Sequence, residues 1–345
     1  MAAGRGEPAA GAVDREGWLP AALNGGCAYR DRVDGDTTSA AAYYATRHPH
    51  SSLTVWQGRL AAGEIQRNQH RLHGDSPLWA GDLLTWHRPP WREGAVPAAW
   101  RVVHEDGDVH VIDKPAGLPV LPAGGWLEHT VLRLLERRHR QDPRGVPRPV
   151  HRLGRFTSGL LVCARQGATR SWLSARLRES TAALEAHPLP APAAATPEAR
   201  ESLGCRKVYR ALLVPGGLPE AMEPGDWQWI DTPIGRRPHP RLGLIWCAAP
   251  EGRQGDLSAR SLLTLLERGP GGDRVEVSIA SGRPHQIRIH CAAIGAPLRG
   301  DPLYLPGGLA REDALPGDGG YLLRAERMTL RRPDGSLLRL RAMPG

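Results

Sequence analysis

The sequence predicts an α+β fold: a mixed, mostly antiparallel sheet with flanking helices and loops, preceded by a small N-terminal module. Three observations predict it. From Val102 onward, short stretches alternate apolar and polar residues, as in Arg274-Val275-Glu276-Val277-Ser278-Ile279, and period-two alternation marks half-buried strands. Helical periodicity is confined to a few segments, too few to supply a crossover helix between every pair of strands. Gly- and Pro-rich breaks separate the strands, with 41 glycines and 32 prolines in the chain.

In chain order, residues 1–42 are rich in Ala, Gly and Asp and read as an irregular leader. Residues 43–97 form a small module and its linker. Within it Ser52 to Leu60 predicts a short helix ending near Gly63, residues 64–68 and 81–86 predict strands, and 86–97 is a Pro-rich bridge. Residues 98–345 form the main domain. Strands are expected at 102–106 and 109–113, then a shaped Lys114-Pro115-Ala116-Gly117 loop, where Pro fixes the backbone and Gly permits a tight turn. A helix follows over 128–140. His151 to Ser158 is a basic, hydroxyl-rich loop leading into an apolar strand. A helix is expected over 169–179. Residues 181–205 are Ala- and Pro-rich and predict a disordered insertion. Strands return at 207–214, 258–267 and 274–279, and residues 285–294 place Ile287, Cys291 and Ile294 on one helical face. A turn at 300–304 and a Gly/Pro-rich loop at 306–320 lead to the final strands.

Composition narrows the function. The net charge is +9 and the pI about 9.9, which favours a polyanionic partner, nucleic acid being the obvious one, against the bland reading of a merely basic soluble enzyme. Only two of the 45 basic residues are lysines, Lys114 and Lys207, and both fall within motifs. The five cysteines lie far apart with no paired spacing, which argues against a disulfide framework and a zinc site and for a reducing, intracellular setting, in the cytoplasm or an organelle. No apolar run is long enough to span a membrane, so a soluble protein is expected. The His-x-Glu and Pro-Cys-x-x-Cys pattern of zinc deaminases is absent, as is a Gly-Lys-Ser/Thr phosphate loop.

The stretch His151-Arg152-Leu153-Gly154-Arg155-Phe156-Thr157-Ser158-Gly159-Leu160 resembles the His-Arg-Leu-Asp-x-x-Thr-Ser-Gly-Leu signature of the large-subunit type of RNA pseudouridine synthases. Lys114 to Gly117 resembles that family's Lys-Pro-Ala/Ser-Gly loop. Lys207-Val208-Tyr209-Arg210-Ala211 resembles its Lys-x-Tyr-x-Ala strand, Ser281 to His290 its Thr-Gly-Arg-x-His-Gln-Ile-Arg-x-His motif, and Gly300 to Tyr304 its Gly-Asp-x-x-Tyr turn. The ordered set spans Val102 to Tyr304. The resemblance implies the pseudouridine synthase fold and a monomer without cofactor or metal. Its partner would be rRNA or tRNA, in which a flipped uridine is cleaved from its sugar, rotated and rejoined through carbon 5. The order of elements in 43–97 loosely resembles the S-four-type RNA-binding module that often precedes this domain.

The resemblance assigns Tyr209 to stacking on the flipped base and Arg288 to pairing with the catalytic aspartate. The aspartate's own position is Gly154, as in a plant-like subgroup of the family. His151, Arg152, Arg155, Arg283 and His285 are expected to line the RNA-facing cleft, arginine forks suiting phosphates. The bland alternatives are a core-filling Tyr209, a solvated helix face for Arg288, and water-satisfied surface charge for Arg155. Arg288 requires another anion, a phosphate or another carboxylate, and Asp113 and Asp301 are the carboxylates within matched motifs. Two readings therefore stand: a uridine isomerase working by an altered arrangement, and a catalytically silent RNA-binding relative. The surrounding motifs predict a loop still shaped for an aspartate, with Arg288 facing the vacancy; if the protein is silent only because the carboxylate is missing, Gly154→Asp would restore the pair.

Overall fold

The computed structural model describes residues 19–186, 205–279 and 282–344, and it divides into two compact units. The smaller comprises residues 21–94 with 237–245. It contains β1 (Cys27–Arg32), α1 (Ala40–Arg47), α2 (Leu53–Ala61), β2 (Ile65–Arg67), β3 (His70–Arg71) and β4 (Leu83–Arg88), with the strands ordered β1-β4-β2-β3. Ser39 and Ser52 start the two helices by accepting backbone N–H bonds from Ala42 and Val55, satisfying donors that a helix N-terminus leaves open. Tyr44 stacks on Trp56 at 4.5 Å, and Trp56 meets Trp86 edge-on. Beta-strand β1 and helix α1 begin within the stretch expected as irregular leader. Strand β1 is mostly exposed and owes its form to pairing with β4, from Cys27 opposite Arg88 to Arg32 opposite Leu83, which local sequence does not reveal.

The larger unit carries β5 (Arg101–Asp106), β6 (Val109–Lys114), α3 (Val131–Arg138), β7 (Arg148–Pro149), β8 (Thr157–Ala164), α4 (Gly167–Ala186), β9 (Cys205–Leu212), β10 (Trp227–Ile230), β13 (Ser261–Glu267), β14 (Arg274–Ile279), α5 (Gln286–Ala293), β15 (Leu323–Arg331) and β16 (Leu337–Arg341). A hairpin of β11 (Ile234–His239) and β12 (Gly243–Ala248) has its tip in the smaller unit. The large sheet runs β10-β13-β14-β9-β15-β8-β6-β5, with β16 beside β15 and β7 beside β8. Every pairing of named strands in this sheet is antiparallel except β15 with β8. The expected α+β sheet is thus the observed one. Helix α4 extends past the expected end at 179 to Ala186, through Ala182, Ala183 and Leu184, which favour helix. Residues 1–18 of the leader, 187–204 of the expected insertion and Ser281 lie outside the described residues.

The strand order brings distant motifs together. Strand β15 lies between β8 and β9, with Ala325 opposite both Gly159 and Tyr209. A Cβ on Gly159 would collide with the Ala325 carbonyl, and its φ of 98° is left-handed, so glycine is required there. This close approach sets the 151–158 loop beside the start of β15.

Candidate active site

A cleft of about 130 Å³ opens in the larger unit. Its lining includes Arg152, Gly154, Tyr209, Arg283, His285 and Arg288 from the expected set, joined by Thr157 and Tyr321. The loop before β8, strand β9, the N-terminal end of α5 and the residues entering β15 each contribute. Tyr209 is 8% exposed and is opposite Ala325 of β15.

His285 begins α5 in a left-handed conformation, φ 54°. Its Nδ1 lies 2.7 Å from Tyr304 Oη, which itself donates to the Trp246 carbonyl at 2.8 Å. The hydroxyl has one proton, so His285 Nδ1–H must donate to it, leaving Nε2 as an acceptor. Burial, then the nearby Arg288 charge, pushes the His285 pKa down to about 4. The ring is therefore neutral at pH 7.

Arg288 is enclosed. Its Nε and Nη2 donate to the two oxygens of Asp301, both at 2.7 Å, with side chains only 4% and 0% exposed. Asp301 also accepts the backbone N–H groups of Leu303 and Tyr304. The other candidate, Asp113, pairs instead with Arg324 at 2.6 Å. The guanidinium of Arg288 lies 4.3 Å from the ring centre of Tyr321.

Gly154 lines the cleft, but the place its Cβ would take is filled. A Cβ there would overlap Tyr321 Oη and stand 3.2 Å from Thr157 Oγ1. The position is not left-handed, so packing rather than backbone angle excludes a side chain. The expectation that Gly154→Asp restores a waiting pair is corrected on both counts: the space is filled and Arg288 already has its carboxylate.

Two expected residues are not brought to the cleft. His151 Nε2 accepts the Val162 backbone N–H at 3.0 Å, tying the loop to β8, and burial lowers its pKa to about 3. Arg155 donates to the Gly117 carbonyl and lies 3.9 Å over the Trp126 ring. Both make contacts that hold the loop.

Lys114 does the same from beneath. Its Nζ donates to the carbonyls of Pro115, Leu118 and Arg155 at 2.8, 2.8 and 3.0 Å. Burial, then the Arg155 charge, lowers its pKa to about 7, while three acceptors suit the three protons of the ammonium. Lys114→Met should cost about 2–4 kcal/mol, because buried carbonyls lose their donors. A urea-midpoint change worth less than about 1 kcal/mol would show that Lys114 does not buttress the loop.

Tyr321 was not legible in sequence. It follows the Gly/Pro-rich 306–320 stretch and belongs to none of the matched motifs; the missing Cβ at Gly154 hints at an occupant without naming it.

This geometry agrees with the comparisons. The RNA pseudouridylate synthase family matches residues 108–293, more than half of the chain. The chain belongs to this family, and within it to the large-subunit type. An uncharacterized RNA pseudouridine synthase of Synechocystis sp. is 39% identical over 288 residues, covering 83% of this chain and 87% of that one. RNA pseudouridine synthase 5 of Arabidopsis thaliana is 35% identical, covering 89% of each chain. Ribosomal large subunit pseudouridine synthase D of Pseudomonas aeruginosa is 32% identical, covering 76% of this chain and 72% of its own. Among the described residues, no cluster of His, Cys, Asp and Glu could hold a metal, and no helix is long and apolar enough to cross a membrane.

Proposed function

We propose that the protein isomerises uridine to pseudouridine in structured rRNA or tRNA, as a monomer and without a cofactor. The convergence of Tyr209, Arg288, Arg152, Arg283 and His285 on one cleft carries this reading. A base flipped from its stack, at a cost of a few kcal/mol, gains the aromatic face of Tyr209 and the arginines beside it. The smaller unit adds arginines beside tryptophans, Arg67 by Trp79 and Arg88 by Trp91, which suit an RNA backbone and its bases.

One observation favours the silent RNA-binding reading: among the described residues, the cleft lining contains no aspartate or glutamate. The two readings separate in one experiment. Unmodified rRNA and tRNA transcripts carrying tritium at uridine carbon 5 are incubated with excess protein. Tritium release reports isomerisation, and binding is measured in parallel at several salt concentrations. The protein should bind with an affinity that falls steeply with salt, since each neutralised phosphate releases counterions. It should release tritium, and Tyr209→Ala should slow release by about 100-fold or more. Release that survives Tyr209→Ala would remove the site assignment. Binding without release would establish the silent reading.

A further inference from the structure

The group at the place of the missing carboxylate is a phenol. Ordinary bond lengths put the oxygens of an aspartate about 2.4 Å from its Cβ. Tyr321 Oη lies no further than that from the Cβ position of residue 154. An oxygen therefore stands at a carboxylate oxygen's distance from residue 154, delivered by the segment entering β15 instead of by the loop. The ring is held in place: Arg288 lies over it at 4.3 Å, Phe156 meets it at 6.0 Å, and Thr157 Oγ1 is 3.4 Å from the hydroxyl. Tyr321 is 3% exposed, and it lines the cleft. Asp301 cannot act in its stead, because its side chain is fully enclosed and both its oxygens are engaged by Arg288.

We propose that Tyr321 is the catalytic nucleophile of this protein, its phenol replacing the family's aspartate. This rests on the proposed isomerase function. In the first step Oη bonds to ribose C1′ as the N1–C1′ bond breaks. The bonding pair leaves with uracil, which takes the phenol proton. Uracil then turns within the cleft. In the second step C5 bonds to C1′, the Oη–C1′ pair returns to oxygen, and the C5 proton moves to that oxygen. The phenol is regenerated, the product is an isomer of the substrate, and no co-reactant is consumed. Tyrosine serves as the nucleophile at a sugar's anomeric carbon in sialidases. The Arg288 guanidinium beside the ring stabilises charge as the oxygen departs.

The test is Tyr321→Phe, which deletes one oxygen and keeps the ring. The same tritiated rRNA and tRNA transcripts are used under single-turnover conditions. The variant should release tritium about 100-fold more slowly or worse, with its Kd for the transcripts within about threefold of the unaltered protein's. Removing Oη also makes room at residue 154, because the ring's Cζ stands an ordinary 3.7 Å from the Cβ position. Gly154→Asp combined with Tyr321→Phe should therefore regain turnover that Gly154→Asp alone does not support. Release by Tyr321→Phe within about threefold of the unaltered protein would overturn the assignment while leaving the isomerase reading intact. Absence of release by the unaltered protein, on transcripts it binds, would instead overturn the isomerase reading and this assignment with it.

Discussion

Asp301→Ala should destabilise the protein by about 3–5 kcal/mol, because it strands a buried guanidinium without its counter-charge. The pair it breaks is bidentate, at 2.7 Å through both donors, and almost wholly removed from water. The same change orphans the backbone N–H groups of Leu303 and Tyr304, which Asp301 accepts at 2.9 and 3.3 Å. Unpaired buried donors add to the loss. Arg311–Asp313 provides the control: it is also a two-bond pair, near 3.0 Å, but Asp313 is 72% exposed. Screened pairs of that kind are worth about 0–1 kcal/mol, so Asp313→Ala should leave the urea midpoint nearly unchanged. Equal midpoint shifts for the two variants would mean that water reaches the Arg288–Asp301 pair. The Asp301 variant should also lose tritium release, since Arg288 would no longer be held against Tyr321.

The Arg288 pairing also shows where sequence reasoning ends. The resemblance left a phosphate or a carboxylate as the partner of Arg288, and offered Asp113 and Asp301 only as the aspartates within matched motifs. Choosing between them required knowing that Asp113 ends up beside Arg324, 211 residues away, because β6 and β15 flank the same single strand, β8. Strand β14 was legible because it alternates apolar and polar residues, and β8 because it is a continuous apolar run, buried almost throughout. Short strands β10, β11 and β12 were not, because they lie among Gly and Pro and take their form from their partners. The site followed the same rule. Tyr209, Arg288 and Gly154 carry local motif context and could be named from the chain. Tyr321 gains its meaning only from the parallel pairing of β15 with β8, which sets a residue beside Gly154 that lies far from it in sequence. His151 and Arg155 show the converse: their residue types suit RNA, and the fold also engages them in hydrogen bonds to the backbone of Val162 and Gly117 that the sequence does not reveal.

Acid should unfold this protein through neutral histidines in its core. His290 is 0% exposed and His110 is 1% exposed. Burial is the first cause lowering each to about 4, against about 6.5 in an unfolded chain. Between those values the unfolded chain binds protons that the folded one refuses. Stability therefore falls as pH drops from about 6.5 towards 4, by up to about 1.4 kcal/mol per pH unit for each proton. His290 is fixed as a single tautomer by its neighbours. Nε2 must donate to the Thr232 carbonyl at 3.0 Å, so Nδ1 accepts from the Ser261 hydroxyl at 2.9 Å, and that hydroxyl accepts from Gln286. A second proton on the ring leaves the Ser261 hydroxyl without its acceptor and loosens Gln286 at the start of α5, the helix that also carries Arg288. Urea unfolding at pH 7.5, 6.5, 5.5 and 4.5 measures the effect. His290→Gln should flatten the dependence by close to one proton's share, at a fixed cost near pH 7. Stability that stays level from pH 7 to 5 would show that these rings take up protons in the folded state as readily as in the unfolded one.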